Sequence, residues 1–257
     1  MDSKKIKVGE NILPILLKSL KKRGVRPSDG DILVIASKAL ALEQNRMVDL
    51  KSVIPSPWAK RQKKLQYNIS KADPRLVELI LREADIVIPG NVYLTLKDNI
   101  LIPSAGIDLS NAPEGFALLW PKNTESWARG CMNAVKKMFR LKHFGVVIID
   151  SRCQPLRWGT VGVALAFAGF EGVEDARGQK DMYGKKLKVT RKAVADNLAS
   201  AAEIVMGEAG EQTPFVLIRK APVHFTNKKM SSFPTAITPR ECLYSGIYSK
   251  KFKNMLH

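Results

Sequence analysis

The chain has 257 residues, with 42 Lys and Arg against 24 Asp and Glu and a net charge of +18. That length allows one large domain or two small ones, and a compact chain of this size buries about 75% of its extended-chain surface, so it needs no covalent staples. Cys131, Cys153 and Cys242 are odd in number, widely spaced and form no CxxC pair, which argues against a disulfide framework and a zinc site.

The opening "MDSKKIKVGE" has no apolar signal core, and no apolar run approaches the roughly 20 residues of a membrane span, so a reduced, cytoplasmic, soluble protein without a membrane partner is expected. Base is spread along the chain, in "SLKKRG" (19–24), "AKRQKK" (59–64), "VKKMFR" (135–140), "KKLKVTRK" (185–192) and "KKFK" (250–253). A nucleic-acid binder concentrates base on one element and adds a recognisable module. Zinc-finger spacing, an RNP-like aromatic motif and a helix-turn-helix pair are all missing, so a nucleic-acid partner is not expected. The lysines read as solvated faces or as attraction for an anionic small molecule.

In chain order, Glu10 to Arg23 carries an apolar stripe of Ile12, Leu13, Leu16, Leu17 and Leu20, a helix ending near Gly24. "DGDILVIAS" (29–37) is a turn and a buried strand. Asp73-Pro74 is an N-cap with proline in the first helical position, opening a helix to about Leu81. "DIVIP", "VYLTLK" and "NILIP" are short strands of a meander, separated by Gly90-Asn91 and Asp98-Asn99. Residues 124–141 read as a helix and "FGVVIID" (144–150) as a buried strand. "WGTVGVALAFAGF" (158–170) is rich in Gly and Ala, which suggests close packing of backbone on backbone or ligand. A long helix is expected from Thr190 to about Met206, then a strand at "PFVLIRK" (214–220) and an irregular basic tail from about residue 227. Strands and helices without regular alternation give an α+β fold.

Three acids occupy positions where chemistry is often placed. Asp108 lies in "SAGIDLSNAPEG" (104–115), among turn formers, and can be a simple turn residue or a metal or phosphate ligand. Asp150 closes the apolar run Val146 to Ile149 and is followed by Ser151 and Arg152, as a strand terminator or a ligand at a strand end. Glu208 follows Gly207 at a helix C-terminus, where a carboxylate opposes the helix dipole unless a cation compensates. Hard oxygens from Asp108, Asp150, Ser151 and Glu208 would suit Mg²⁺ or Mn²⁺ holding phosphates. His143, His224 and His257 stand in no nucleophile motif, and the chain has neither a GxxxxGK[ST] loop nor a GxGxxG after a strand.

The order of the motifs "DGDILVIASK", "DPRLVELILREAD", "AGIDLSN", "VVIIDSRCQPLRWGTVGVALAFAGF" and the stretch "DARGQKDMYG" through "TPFVLIRK" resembles the coenzyme F-420:L-glutamate ligases, over about residues 8 to 220. The resemblance implies an α+β fold of the F-420 gamma-glutamyl ligase type, assembled as an intertwined homodimer, with a ligase-like domain at 1–226 and a basic tail at 227–257. It implies a cytoplasmic enzyme that uses GTP and two Mg²⁺ or Mn²⁺ ions, with K⁺ a further candidate, to join L-glutamate to an anionic deazaflavin coenzyme precursor.

By the same resemblance Asp108 and Asp150 hold one metal, and Ser151 and Glu208 a second. Asn111 touches the nucleotide and Met206 to Thr213, including Gly207, Ala209 and Gly210, wraps it. Asp108, Asp150 and Glu208 are then the catalytic set, with Arg152, Arg157, Arg177 and Lys180 as candidate cationic contacts.

The sequence also departs from the family pattern. Leu42 in "ALEQNR" (41–46) stands where a phosphate-binding lysine is expected, and Asn45 replaces a glycine. "SKKI" (3–6) stands where a leucine-proline segment contacts the nucleotide, and "DNILIPS" replaces a cysteine- and asparagine-containing approach to "AGIDLSN". Lys38, four residues before Leu42, is the candidate substitute for the lost lysine. The rival readings are the same chemistry on a folate or pterin acceptor, and a binding relative without turnover.

Overall fold

The structure, a computed structural model, describes residues 6–61, 73–88, 93–228, 235–238 and 240–246. The first helix, α1 (Ile12–Lys22), starts where the Asn11 side chain accepts from the Leu13 N–H, and buries Ile12, Leu16 and Leu20. Next come β1 (Asp31–Ala36), α2 (Ser37–Glu43), β2 (Met47–Asp49), α3 (Pro57–Arg61), α4 (Pro74–Glu83), β3 (Ile86–Ile88), β4 (Leu94–Lys97) and β5 (Ile100–Pro103). The second half contains β6 (Phe116–Leu118), α5 (Thr124–Phe139), β7 (Phe144–Cys153), β8 (Thr160–Ala168), β9 (Glu174–Asp175), β10 (Arg191–Lys192), α6 (Val194–Met206) and β11 (Phe215–Ile218). Strands and helices mix without a repeating unit, which is the α+β arrangement expected.

The chain divides into two compact units, residues 1–43 with 122–235, and residues 44–121 with 236–257. In the first unit the sheet order is β11-β1-β7-β8. β1 runs parallel to β7 and antiparallel to β11, and β7 runs antiparallel to β8. α6 lies on this sheet over a core of Ile32, Val34, Val147, Ile149, Ala164, Phe167, Ala195, Ala199 and Ala202. The alanines are what bring helix and sheet so close. At Gly162 a Cβ would lie 2.4 Å from the Ala199 carbonyl carbon, so only glycine fits there. The Gly- and Ala-rich stretch thus packs backbone on backbone.

β1 ends at Ala36 opposite Ile149, so Asp150 to Cys153 run on beyond it, paired only with β8. The helix expected from Thr190 instead begins at Val194. Arg191 and Lys192 pair with Asp175 and Glu174, and the Lys192 ammonium meets Glu174 at 2.8 Å, so a tertiary pairing overrides local helix propensity.

The second unit holds the antiparallel pair β2-β6 and the meander β3-β4-β5. Asp98 and Asn99 turn the last hairpin with φ of 49° and 60°, the two left-handed residues of a type I′ turn. Gly90-Asn91, expected as the earlier turn, lies outside the described residues. Asp73 accepts from the Arg75 N–H and caps α4 as expected, and the helix runs two residues past the expected end, to Glu83. Glu83 then accepts from Arg46 at 2.8 Å and Lys97 at 2.9 Å, in a cluster whose side chains are only 12–15% exposed. Gly106 lies so close to the Trp120 indole that a Cβ would overlap it, and its φ is +68°. No helix among the described residues is long and apolar enough to cross a membrane.

Candidate active site

Two groups of sequence-predicted residues are placed by different means, one in each unit. In the first unit, the free end of β7 meets the C-terminal end of α6. Glu208 Oε2 accepts from the Ser151 hydroxyl at 3.3 Å, and its Oε1 accepts from the Thr160 hydroxyl at 3.2 Å. Thr160 pairs with Cys153 across the β7–β8 ladder. Neighbouring strand residues point to opposite faces, so Ser151 turns toward α6 while Asp150, beside it, leaves from the other face.

Sequence reasoning missed two members of this cluster, Thr160 and Glu203. Glu203 is half-buried in the last turn of α6, and its Oε1 is buried with no hydrogen-bond partner. Burial, and then the neighbouring Glu208, push its carboxyl up to about 7; the Asp150 charge adds to the rise and the Thr160 hydroxyl opposes it. A signal was available. Glu203 stands five residues before Glu208 at the same helix end, and two carboxylates at the negative end of a helix dipole call for a cation.

The loop after α6 is the segment expected to wrap a nucleotide. Met206 is buried as the last helical residue, whereas Gly207 to Gly210 are exposed. The Gly207 N–H closes the helix on the Glu203 carbonyl at 2.9 Å, and Gly207 has φ +72°. Glu211 folds back to accept from the Ala209 N–H at 2.8 Å, and Thr213 donates to the Met206 carbonyl at 2.8 Å. Lys38 and Leu42, both half-buried, are four apart on α2 and so share one face of that helix.

In the second unit, Asp108 is positioned by its own turn. Its Oδ1 accepts from the Ser110 N–H at 2.9 Å and the Ser110 hydroxyl at 2.6 Å, while its backbone pairs with Leu118. Asn111 is exposed and donates from Nδ2 to the Ser110 hydroxyl at 3.3 Å.

Of the cationic candidates, Arg177 is already engaged by Asp175, with Nε 2.9 Å from Oδ1, and the guanidinium holds that carboxyl far below the carboxylate range. Arg152 differs, having a buried Nε without a partner. Arg157 and Lys180 are exposed.

The residues present fit a hard divalent cation in chemistry. A carboxylate flanked by two hydroxyls, with an orphaned carboxylate oxygen of Glu203 beside it, is an all-oxygen donor set. As the side chains stand, no three His, Cys, Asp or Glu among the described residues converge on one point. Ser151 and Glu208 are brought together, and Asp150 lies near enough to Glu203 for their charges to repel.

Comparison with known proteins completes the assignment. A family model described as F420-0:gamma-glutamyl ligase matches residues 1–220. The coenzyme F420:L-glutamate ligase of Methanocaldococcus jannaschii is 39% identical over 204 residues, spanning 78% of this chain and 80% of that protein. That of Methanopyrus kandleri is 35% identical over 219 residues, spanning 84% and 83%, and that of Methanothermobacter thermautotrophicus is 34% identical over 220 residues. The class these matches define is that of amide-forming ligases. Within it, this chain belongs to the F420-0:gamma-glutamyl ligase family.

Proposed function

We propose that the protein is a GTP- and divalent-metal-dependent ligase that adds L-glutamate to the coenzyme F420 precursor, working as a homodimer. The observation that carries this reading is that Ser151 and Glu208, 57 residues apart, meet at the end of β7. In the proposed reaction an acceptor carboxylate oxygen attacks the γ-phosphorus of GTP, and the bond to the leaving GDP oxygen breaks. The acyl phosphate so formed takes the glutamate amine at its carbonyl carbon, and phosphate leaves as the amine loses a proton.

Such phosphoryl transfer is catalysed mostly by positioning and charge neutralisation. Asp150, Ser151 and Glu208, with Asp108, would hold Mg²⁺ or Mn²⁺, which supply the positive charge that neutralises the phosphates. Asn111 and the loop from Met206 to Thr213 would contact the nucleotide. Lys38 takes the place of the lysine that Leu42 replaces, because one turn of α2 carries both.

The test is glutamate-dependent release of GDP with Mn²⁺, supplying deazaflavin and folate acceptors in parallel and comparing wild type with Lys38→Ala and Leu42→Lys. Release with the deazaflavin acceptor, lost in Lys38→Ala, is the expected result. Wild-type turnover in Lys38→Ala would remove Lys38 from the site. An inert wild type that Leu42→Lys revives would make the natural protein a binding relative.

A further inference from the structure

The β7–β8 ladder is irregular next to the candidate site. Pairing runs from Val146↔Ala168 to Ile148↔Ala166 and resumes at Ile149↔Ala164, which leaves Leu165 as one extra residue, a β-bulge. Its consequence follows from the two-residue period of a strand. Beyond the bulge Ala164, Gly162 and Thr160 face α6, as Phe167 does before it. Without it Ile149 would pair with Leu165, and Gly162 and Thr160 would face away from α6. One extra residue therefore turns the Thr160 hydroxyl toward Glu208 and sets Gly162, the glycine within β8, against Ala199.

β8 is the edge strand of its sheet, and the backbone amide of Ala164, where pairing resumes after the bulge, is held from the helix. Asp196, in the first turn of α6, accepts from the Ala164 N–H at 3.0 Å. Four residues on, the Ser200 hydroxyl donates to the Gly162 carbonyl at 3.1 Å. The two bonds tie one face of α6 to the stretch of β8 between the bulge and Thr160.

We infer that Asp196 is a positioning residue of this ligase: by holding the Ala164 amide it fixes the bulge that aims Thr160 at Glu208 and sets β8 against Ser151. Its oxygen acts as an acceptor, and the carboxylate charge is not what the bulge needs. The placement stands on geometry alone; the effect on turnover rests on the proposed ligase activity.

The experiment compares Asp196→Ala with Asp196→Asn, which keeps an acceptor oxygen in place. Alanine is expected to lower kcat for GDP release about tenfold, the range found when a supporting hydrogen bond behind a metal ligand is removed, with KM for glutamate little changed. Asparagine is expected to restore it. Amide hydrogen exchange over residues 158–168 gives a readout that needs no activity: about tenfold faster exchange in Asp196→Ala, with β1 unaffected, and wild-type exchange in Asp196→Asn. Should the alanine variant not fold, Asp196→Glu, which displaces the oxygen by one methylene, serves in its place. Wild-type turnover and exchange in the alanine variant would overturn the inference, as would an asparagine variant as impaired as alanine. If the wild type itself releases no GDP, the ligase reading fails alone, and the exchange comparison still decides the clamp.

Discussion

The two compact units hold their predicted site residues in opposite ways. In the second, Asp108 is set by residues two positions away, through its bonds to the Ser110 amide and hydroxyl. In the first, Ser151 and Glu208, joined by Thr160, which the sequence did not single out, come from two strands and a post-helix loop, and meet only because α6 seats on Gly162. A turn can be set by local hydrogen bonds, which survive changes elsewhere. A cluster built from distant elements inherits every error in their packing.

The largest expected effect is therefore on the first unit. Gly162→Val places a branched side chain where even a Cβ would meet the Ala199 backbone, and should destabilise the protein by about 3 kcal/mol, read from the midpoint of urea unfolding. An unchanged midpoint would show that α6 does not need its close seat.

The second unit has its own long-range weak point in Glu83. Burial pushes its carboxyl up, but the Lys97 ammonium and then the Arg46 guanidinium pull harder, so the net position is below the usual value of 4.5. A carboxyl lowered in the folded state contributes stability above its unfolded value and loses it as the pH falls. Glu83→Ala leaves two half-screened cations together and should destabilise by about 2 kcal/mol at pH 7, less than a fully buried pair because water still reaches the group. The difference from wild type should shrink below pH 4.5. A difference independent of pH would rule out the ion cluster as its source.

Asp108→Asn sharpens the contrast further, since an amide oxygen can still accept from Ser110. Stability should be unchanged while Mn²⁺ affinity falls about tenfold, about 1.4 kcal/mol, by calorimetric titration. Unaltered affinity would take Asp108 out of the metal set. The smallest effect concerns thiols. Burial, and then the Glu43 charge, push the Cys131 thiol up to about 12, so at pH 8 iodoacetamide should modify exposed Cys153 and leave Cys131 untouched. Mass spectrometry of the labelled peptides decides it, and labelling of Cys131 would mean that α5 opens. A thiol raised in the folded state favours folding only while protonated, so its contribution is lost between about pH 9 and 12.

What the sequence by itself determined were the features with short-range causes. The Asp73 cap, the Asp98-Asn99 turn, the buried runs of β1 and β7 and the Asp108 turn each follow from neighbouring residues. The family motifs added the pairing of Ser151 with Glu208 by resemblance. Tertiary structure alone decided the rest. The start of α6 yielded to the pairing of Arg191 with Asp175, and Glu203 joined the cluster only when α6 lay over β8. The Leu165 bulge belongs to the same group, because an extra residue exists only relative to a partner strand, and a face assignment only relative to a helix seated on it.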